Sequence, residues 1–253
     1  MRKMWAFAVF LFLYLPLLVV VVYSFNDSRL NAEWVGFTLG WYRVLMGDDE
    51  MLKAAGNSLL VAFLSSLIST LLGTMAGIAI QRYRMRFLNF LVMAPVAMPE
   101  VLVGVSLLLF YIQFIGMRLG ILSVVLAHVA FSVGFAAVVV RVSLAALDYH
   151  LFEAARDLGA SPFRVFWHVT FPLILPGVVA GFLMAFTLSI DDFVITFFTA
   201  GVGFQTLPLR IYSMIKIAVT PEVNAVSTLL MLLTLSLMLL AMRLAPEALK
   251  GRA

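Results

Sequence analysis

Six apolar runs, separated by shorter polar segments, dominate this chain. Each run holds about 20 or more residues, which is enough for a helix to cross a hydrocarbon core of about 30 Å. The predicted spans are Trp5–Phe25, Asn57–Ile80, Leu88–Ile112, Leu119–Val140, Leu173–Phe198 and Asn224–Met242. The pattern therefore predicts an all-α membrane protein with six transmembrane helices.

Composition agrees with this pattern, because 64% of the 253 residues are apolar and 12% are charged, which is outside the range of ordinary soluble domains. Arg2 and Lys3 precede the first run, so a cleaved signal peptide is an alternative to a first helix. The apolar stretch of the first run is about twice the length usual in a signal peptide, and no A-x-A cleavage site follows it. Both features favour an uncleaved helix. The absence of cysteine excludes disulfides and thiolate metal sites.

The distribution of Lys and Arg predicts that both termini are cytoplasmic. With the N-terminus inside, the inner segments hold eleven basic residues and the outer segments hold six. The inner residues are Arg2, Lys3, Arg82, Arg84, Arg86, Arg141, Arg156, Arg164, Arg243, Lys250 and Arg252. The outer residues are Arg29, Arg43, Lys53, Arg118, Arg210 and Lys216. The basic residues that give the net charge of +4 are thus scattered along the chain. They form no basic patch that would indicate a nucleic-acid partner.

No linker or low-complexity tract divides the chain, so residues 1–253 are predicted to form a single transmembrane domain. Two connecting segments are longer than plain turns, an inner one at 141–172 and an outer one at 199–223. The inner segment is predicted to contain two short helices. Asp148 can cap the first, Gly159 can end it, and Ser161-Pro162 can start the second.

The inner segment contains the stretch EAARDLGASPFRVFWHVTFP, which resembles the cytoplasmic EAA loop of bacterial ABC importer permeases. The residues that match the family's pattern are Glu153, Ala154, Ala155, Gly159 and Pro172, while Val169 and Phe171 replace its isoleucine and leucine. The resemblance implies the type I ABC importer permease fold. It also implies that Glu153, Ala154, Ala155 and Gly159 couple the membrane helices to an ATP-hydrolysing subunit.

The chain itself has no G-x-x-x-x-G-K-[ST] loop, so ATP binding is expected on a partner subunit. His128, His150 and His168 form no metal-spaced cluster, and no nucleophile and base pair is recognisable. We therefore expect a non-catalytic subunit that needs no metal or cofactor.

Three acidic residues fall inside predicted spans: Glu100, Asp191 and Asp192. A carboxylate at mid-membrane costs roughly 2.5–3.5 kcal/mol, so it needs a partner or a water-filled path. At 1.5 Å per residue, Glu100 would lie about 18 Å from Leu88, near mid-depth, and Asp191 about 27 Å from Leu173, near the outer boundary. Internal hydrogen bonds and helix caps are one interpretation. A series of acidic sites for a cationic cargo, with one of the adjacent aspartates facing the path, is the other.

Several stretches are similar to polyamine permeases: SIDDFVITFFTAG, TLPLRIYSMIK, TPEVNAVST, YSFNDSR and MPEVLVG. This resemblance implies a multi-pass subunit of the bacterial cytoplasmic (inner) membrane that passes spermidine or putrescine. It further implies a heterodimer with a homologous permease, two ATP-binding subunits and an extracytoplasmic polyamine-binding protein. The expected substrate-path residues are Glu100, Asp191, Asp192 and Tyr212.

Two alternatives remain open from the residues. The same architecture could carry ferric ion, an inorganic anion or an amino acid, although an anion fits the acidic residues poorly. A secondary transporter driven by protons through Glu100 or Asp191 would explain the buried acids, but it leaves the inner loop without a purpose.

Overall fold

A computed structural model describes residues 2–28, 33–148, 150–218 and 220–244, with the side chains of 2–4 excepted. Twelve α-helices occur in these ranges, and the described residues contain one isolated antiparallel bridge, Asn26 to Phe37, and no β-strand. The helices are α1 Arg2–Tyr23, α2 Gly40–Gly47, α3 Asp49–Tyr83, α4 Arg86–Ala97, α5 Glu100–Leu109, α6 Ile121–Ala145, α7 His150–Asp157, α8 Pro162–Val165, α9 Phe171–Ile190, α10 Val194–Thr199, α11 Leu207–Ile217 and α12 Pro221–Leu244. The prediction of an all-α membrane protein is confirmed.

The chain folds as two compact units. Unit 1 comprises residues 1–57 and 205–235, and unit 2 comprises residues 58–204 and 236–253. The expectation of one transmembrane domain stays a prediction.

Unit 1 has an apolar core where α2 and the first turn of α3 meet α11 and α12. Leu45 and Met51 pack there with Ile211, Val223 and Val226. The chain after α1 is organised by Asn26, whose side chain donates to Glu33 O at 2.8 Å and accepts from Val35 N at 2.9 Å. These contacts join residues 33–35 to the chain just after α1.

Unit 2 is built around α6, which packs against α4 and α9. Small residues allow this approach, because a Cβ added at Gly73 of α3 would lie 2.8 Å from Ala136 Cβ, and one added at Gly134 would overlap α4. In a bilayer, such close backbone packing replaces the hydrophobic driving force that water supplies elsewhere. Within unit 2, α6 is therefore closely packed against α3, α4 and α9.

Within the described residues, five helical segments are long and apolar enough to cross a membrane, and a bent pair brings the number to six if it is one span. The bent pair is the third predicted span, Leu88–Ile112, which is two helices, α4 and α5, at 109° to one another. Met98 is extended before Pro99 (φ −92°, ψ 144°), as the proline ring requires. The straight third span from which the mid-depth position of Glu100 was calculated is therefore wrong, because Glu100 begins a new helix beyond the bend. The depth of Glu100 in the membrane stays a prediction.

The fifth predicted span, Leu173–Phe198, is also interrupted: α9 ends at Ile190 and α10 begins at Val194. The second span is longer than predicted, since α3 starts at Asp49 with two acidic residues in its first turn, where they complement the helix dipole. Arg29, Lys250 and Arg252 of the charge-distribution argument lie outside the described residues, and the orientation of the termini stays a prediction.

The two short helices predicted within 141–172 are confirmed as α7 and α8. Asp148 Oδ1 accepts from His150 N at 3.0 Å, Gly159 ends α7 with φ +81°, and Ser161 Oγ accepts from Arg164 N at 3.4 Å. From α8 the chain continues through a π-helical turn, Phe166–Thr170, directly into α9.

Candidate functional site

The first group of predicted site residues lies at the break between α9 and α10. Asp192 creates this break, because its carboxylate accepts hydrogen bonds from Ile195 N at 3.3 Å and Thr196 N at 2.8 Å. A side chain that satisfies the amides of the next turn offers the backbone an alternative to continuing the preceding helix. Asp192 thus starts α10, and the helix that the apolar run predicted as one span becomes two.

His128, which lies on α6, contacts the Asp192 carboxylate. The Nε2 atom of His128 lies 3.2 Å from Asp192 Oδ2 and 2.9 Å from Thr196 Oγ1, while the Thr196 hydroxyl donates to Asp192 Oδ2 at 2.9 Å. The side chains of His128 and Asp192 are only 2% and 5% exposed. The Asp192 carboxylate is therefore kept inside unit 2 by four directed contacts, which come from Ile195 N, Thr196 N, Thr196 Oγ1 and His128 Nε2.

The network continues to α9 and α3. The Nδ1 atom of His128 lies 2.6 Å from Ser189 Oγ, and Ser65 Oγ donates to Ser189 Oγ at 2.9 Å. Both imidazole nitrogens therefore have polar partners, Ser189 at Nδ1 and Asp192 and Thr196 at Nε2. The imidazole thereby joins four helical segments.

Glu100 and Asp191 lie beside this network, and both residues are exposed. They come together because α5 packs on α10, with a Cβ added at Gly104 only 2.8 Å from the Phe198 ring. Glu100 lies one helical turn before Gly104 in α5, and Asp191 lies in the break that precedes α10. The three predicted acids therefore lie where α5 and α10 begin, and they are termed here the acidic cluster.

Tyr212, the fourth predicted substrate-path residue, belongs to unit 1 and is partly buried on α11. Lys216 lies one turn further along the same helix, with its Nζ 4.8 Å from the centroid of the Tyr212 ring. This is a cation–π distance, so the ring of Tyr212 already contacts the ammonium group of a residue on its own helix.

The second group of predicted site residues lies on α7. Glu153, Ala154 and Gly159 are exposed and Ala155 is partly buried. The end of α7 is a tight turn in which Gly159 N donates to Arg156 O at 2.8 Å and Ala160 N to Ala155 O at 3.1 Å. Leu158, 89% exposed, projects from this turn, so the loop presents an apolar tip beside a charged helix.

The aromatic side chains after α7 stabilise the second half of the loop. The Trp167 ring packs against Phe166 and Phe171, with centroid separations of 5.3 and 5.2 Å. These rings span the π-helical turn and the start of α9, and thereby join the short helices to a membrane span without a flexible connection.

His128 is the residue that the sequence argument did not place in the site. The spacing of the three histidines predicts no metal cluster, and no other role was predicted for His128. The available signal was a titratable side chain inside an apolar run, which indicates a polar partner elsewhere in the protein.

The fold and the two groups of residues define a class of membrane transport protein, and comparison with known families agrees. The family described as binding-protein-dependent transport system inner membrane component matches residues 69–249. This is well over half of the chain, so the chain belongs to that family of ABC transporter permeases.

Particular relatives are named polyamine permeases. The chain is similar to the spermidine/putrescine transport system permease protein PotC of Escherichia coli (strain K12), with 38% identity over 247 residues that cover 96% of this chain and 93% of PotC. It is 43% identical over 231 residues to the putrescine transport system permease protein PotI of the same strain, covering 88% of this chain and 82% of PotI.

A solved structure shares the fold. It is a bacterial ABC transporter involved in the import of the acidic polysaccharide alginate, at 17% identity with a TM-score of 0.71, covering 97% of this chain and 93% of that chain.

Proposed function

We propose that this chain is a permease subunit of an ATP-driven importer in the bacterial cytoplasmic membrane, and that its cargo is a polyamine, spermidine or putrescine. The observation that carries the cargo is the acidic cluster of Glu100, Asp191 and Asp192, which the bends of two spans bring together. The substrates in the names of PotC and PotI support the same cargo.

Polyamines carry ammonium groups separated by methylene chains, so a transfer path for them needs separated anionic or aromatic contacts rather than one deep site. Glu100 and Asp191 are the exposed members of the acidic cluster, and in our proposal they replace water around an ammonium group. Asp192 contributes its charge from inside the protein. Tyr212, in unit 1, is proposed as a separate aromatic contact for an ammonium group.

A cationic cargo is favoured over the other cargoes by charge alone. Two exposed carboxylates next to a third, buried one would repel an inorganic anion, and an amino acid would bring a carboxylate of its own. Ferric ion would need a closed set of oxygen ligands, which an exposed pair of acids does not supply.

For coupling to ATP, we propose that α7 and the turn after it dock on an ATP-hydrolysing partner. Glu153 and Gly159 have distinct roles in this proposal. The Glu153 carboxylate, 54% exposed and 3.2 Å from His150 Nδ1, fixes the register of docking, and Gly159 allows the turn that exposes Leu158. Ala154 and Ala155 allow close approach of the partner's backbone.

The proposed assembly contains a homologous permease as heterodimer partner, two ATP-binding subunits and an extracytoplasmic polyamine-binding protein. The family's dependence on a binding protein supports the last of these. In this scheme closure of the ATPases moves α7, and α7 moves α9 through the aromatic π-helical turn.

Reconstitution tests the proposal. The chain is assembled with its partner permease, ATPase and binding protein in liposomes, and uptake of labelled spermidine, putrescine and a neutral diol of matched length is measured with and without ATP. We expect ATP-dependent uptake of the polyamines only.

An assembled complex that hydrolyses ATP and imports neither polyamine would contradict the cargo and leave the permease assignment intact. Uptake that follows a proton gradient without any ATPase would instead support a secondary transporter.

A further inference from the structure

His128 is a buried titratable side chain with contacts on both sides of the break between α9 and α10. Its Nδ1 lies 2.6 Å from Ser189, in the last turn of α9. Its Nε2 lies 2.9 Å from Thr196, in α10, and 3.2 Å from Asp192 in the break itself. The imidazole of α6 therefore bridges the two helices across the point where the membrane span is interrupted.

The break decides which way the two adjacent aspartates face. Asp192 points inward, with its side chain 5% exposed, whereas Asp191 is exposed. A rotation of the backbone at the break that turned Asp191 inward would displace Asp192 from its partners. The contacts that oppose such a rotation are those of Asp192 with Ile195, Thr196 and His128, and only His128 lies outside the α9–α10 segment.

We propose that His128 is a positioning residue for cargo transfer: by holding Asp192 and Thr196 against Ser189, it fixes the break so that Asp191 faces the cation path. The inference rests on the proposed function for the role of Asp191, but the geometry that it describes does not depend on the cargo.

A histidine suits this position because its two nitrogens point in opposite directions. Within a membrane span no bulk water can replace a lost partner, so a side chain that serves only one side leaves the other side without its contact. Leucine can form a hydrogen bond neither with Ser189 nor with Asp192 and Thr196. Glutamine has its polar atoms at one end, so it can form hydrogen bonds on only one of these two sides.

A double-mutant cycle in the reconstituted complex tests whether His128 acts through Asp191. His128→Leu, Asp191→Asn and the double variant are compared by the spermidine concentration that gives half-maximal uptake. We expect each single variant to raise this concentration about tenfold, and the double variant to be no weaker than Asp191→Asn alone. Effects that multiply to about a hundredfold would overturn the proposal.

A second measurement is independent of transport. The chain has no cysteine, so a single introduced thiol is the only site in it for a water-soluble maleimide. Ile195→Cys, at a fully buried position of α10, should react at least about tenfold faster in the His128→Leu background. Asp191→Cys should react readily with histidine present and become slower in that background. Unchanged rates at both positions would overturn the proposal, whatever the cargo proves to be.

Matched variants separate positioning from general damage to α6. Ser132→Ala removes a buried hydroxyl one turn further along α6 that has no hydrogen-bond partner among the described residues, and it should match the wild type in both measurements. Ser189→Ala removes the partner of His128 Nδ1 without changing any charge. His128→Gln keeps hydrogen bonds on one side of the break. Both should give smaller shifts in the same direction, and they carry the test if His128→Leu does not assemble. A Ser132→Ala variant as impaired as His128→Leu would contradict a specific role.

Discussion

Two interruptions of the helical chain in unit 2 carry the residues of interest, and they are held in different ways. At 146–161, the helices α7 and α8 begin and end on contacts between residues close in sequence: Asp148 with His150, Arg156 with Gly159, and Ser161 with Arg164. At 190–194, the break is held by His128, which is 61 and 68 residues away from its partners Ser189 and Thr196.

The difference matches what each region must do. An exposed loop that docks on a partner needs its own local shape, and water satisfies any backbone group that it leaves open. At a break inside a membrane span, water is not available to satisfy open backbone groups. Every polar group there therefore needs a partner within the protein. The inner loop can therefore be built from caps, while the membrane break requires a network that reaches across helices.

The largest expected effect comes from the membrane break. Replacing both Glu100 and Asp191 by their amides removes two exposed charges of the acidic cluster, and we expect the half-saturating spermidine concentration to rise about a hundredfold, about 2.7 kcal/mol. Uptake in liposomes measures this change. Asp49→Asn, which removes an exposed charge from the first turn of α3, is the matched control. An equal loss in the control would mean that net charge, and not this cluster, governs uptake.

The second effect concerns stability at the same break. His128→Leu leaves the Asp192 carboxylate and the Ser189 hydroxyl without their imidazole contacts, so we expect the free energy of unfolding to fall by about 1.5–3 kcal/mol. Thermal unfolding of the purified complex in detergent reports this as a lower midpoint. Ser132→Ala should leave the midpoint unchanged, and a His128→Leu midpoint equal to that of the wild type would show that the buried network contributes nothing.

The same comparison explains how much the sequence could predict. Apolar run length located the spans, and the caps Asp148, Gly159 and Ser161 were predicted because each acts on neighbours within a few residues. Pro99 marked the bend before Glu100 locally, although the 109° angle between α4 and α5 depends on packing. The fifth span was predicted as one helix because its apolar run is continuous, although Asp192 caps Ile195 and Thr196 through local contacts. The contact of Asp192 with His128 joins two helices, and no local pattern contains that information.

A third prediction tests the turn that ends α7. Gly159 has φ +81° with nothing within 4 Å of an added Cβ, so Gly159→Ala costs conformational energy, about 1–2 kcal/mol, without a clash. We expect ATP hydrolysis to continue while uptake per ATP falls several-fold. Gly116→Ala is the matched control, since Gly116 has φ +68° and equally open surroundings but lies outside the inner loop. Normal uptake per ATP in Gly159→Ala would contradict a coupling role for the turn.

The smallest effect should come from the cap of α7, and it also separates local from long-range support most directly. Asp148→Ala removes the acceptor for His150 N and should destabilise α7 by about 1 kcal/mol. Backbone amides of α7 would then exchange with solvent about fivefold faster, while those of α10 would not change. Asp148→Asn keeps an oxygen in the same place and should restore slow exchange. Faster exchange in α10 as well would show that the inner loop and the membrane break unfold together. That result would contradict the distinction between an inner loop stabilised by local caps and a break stabilised by the His128 network.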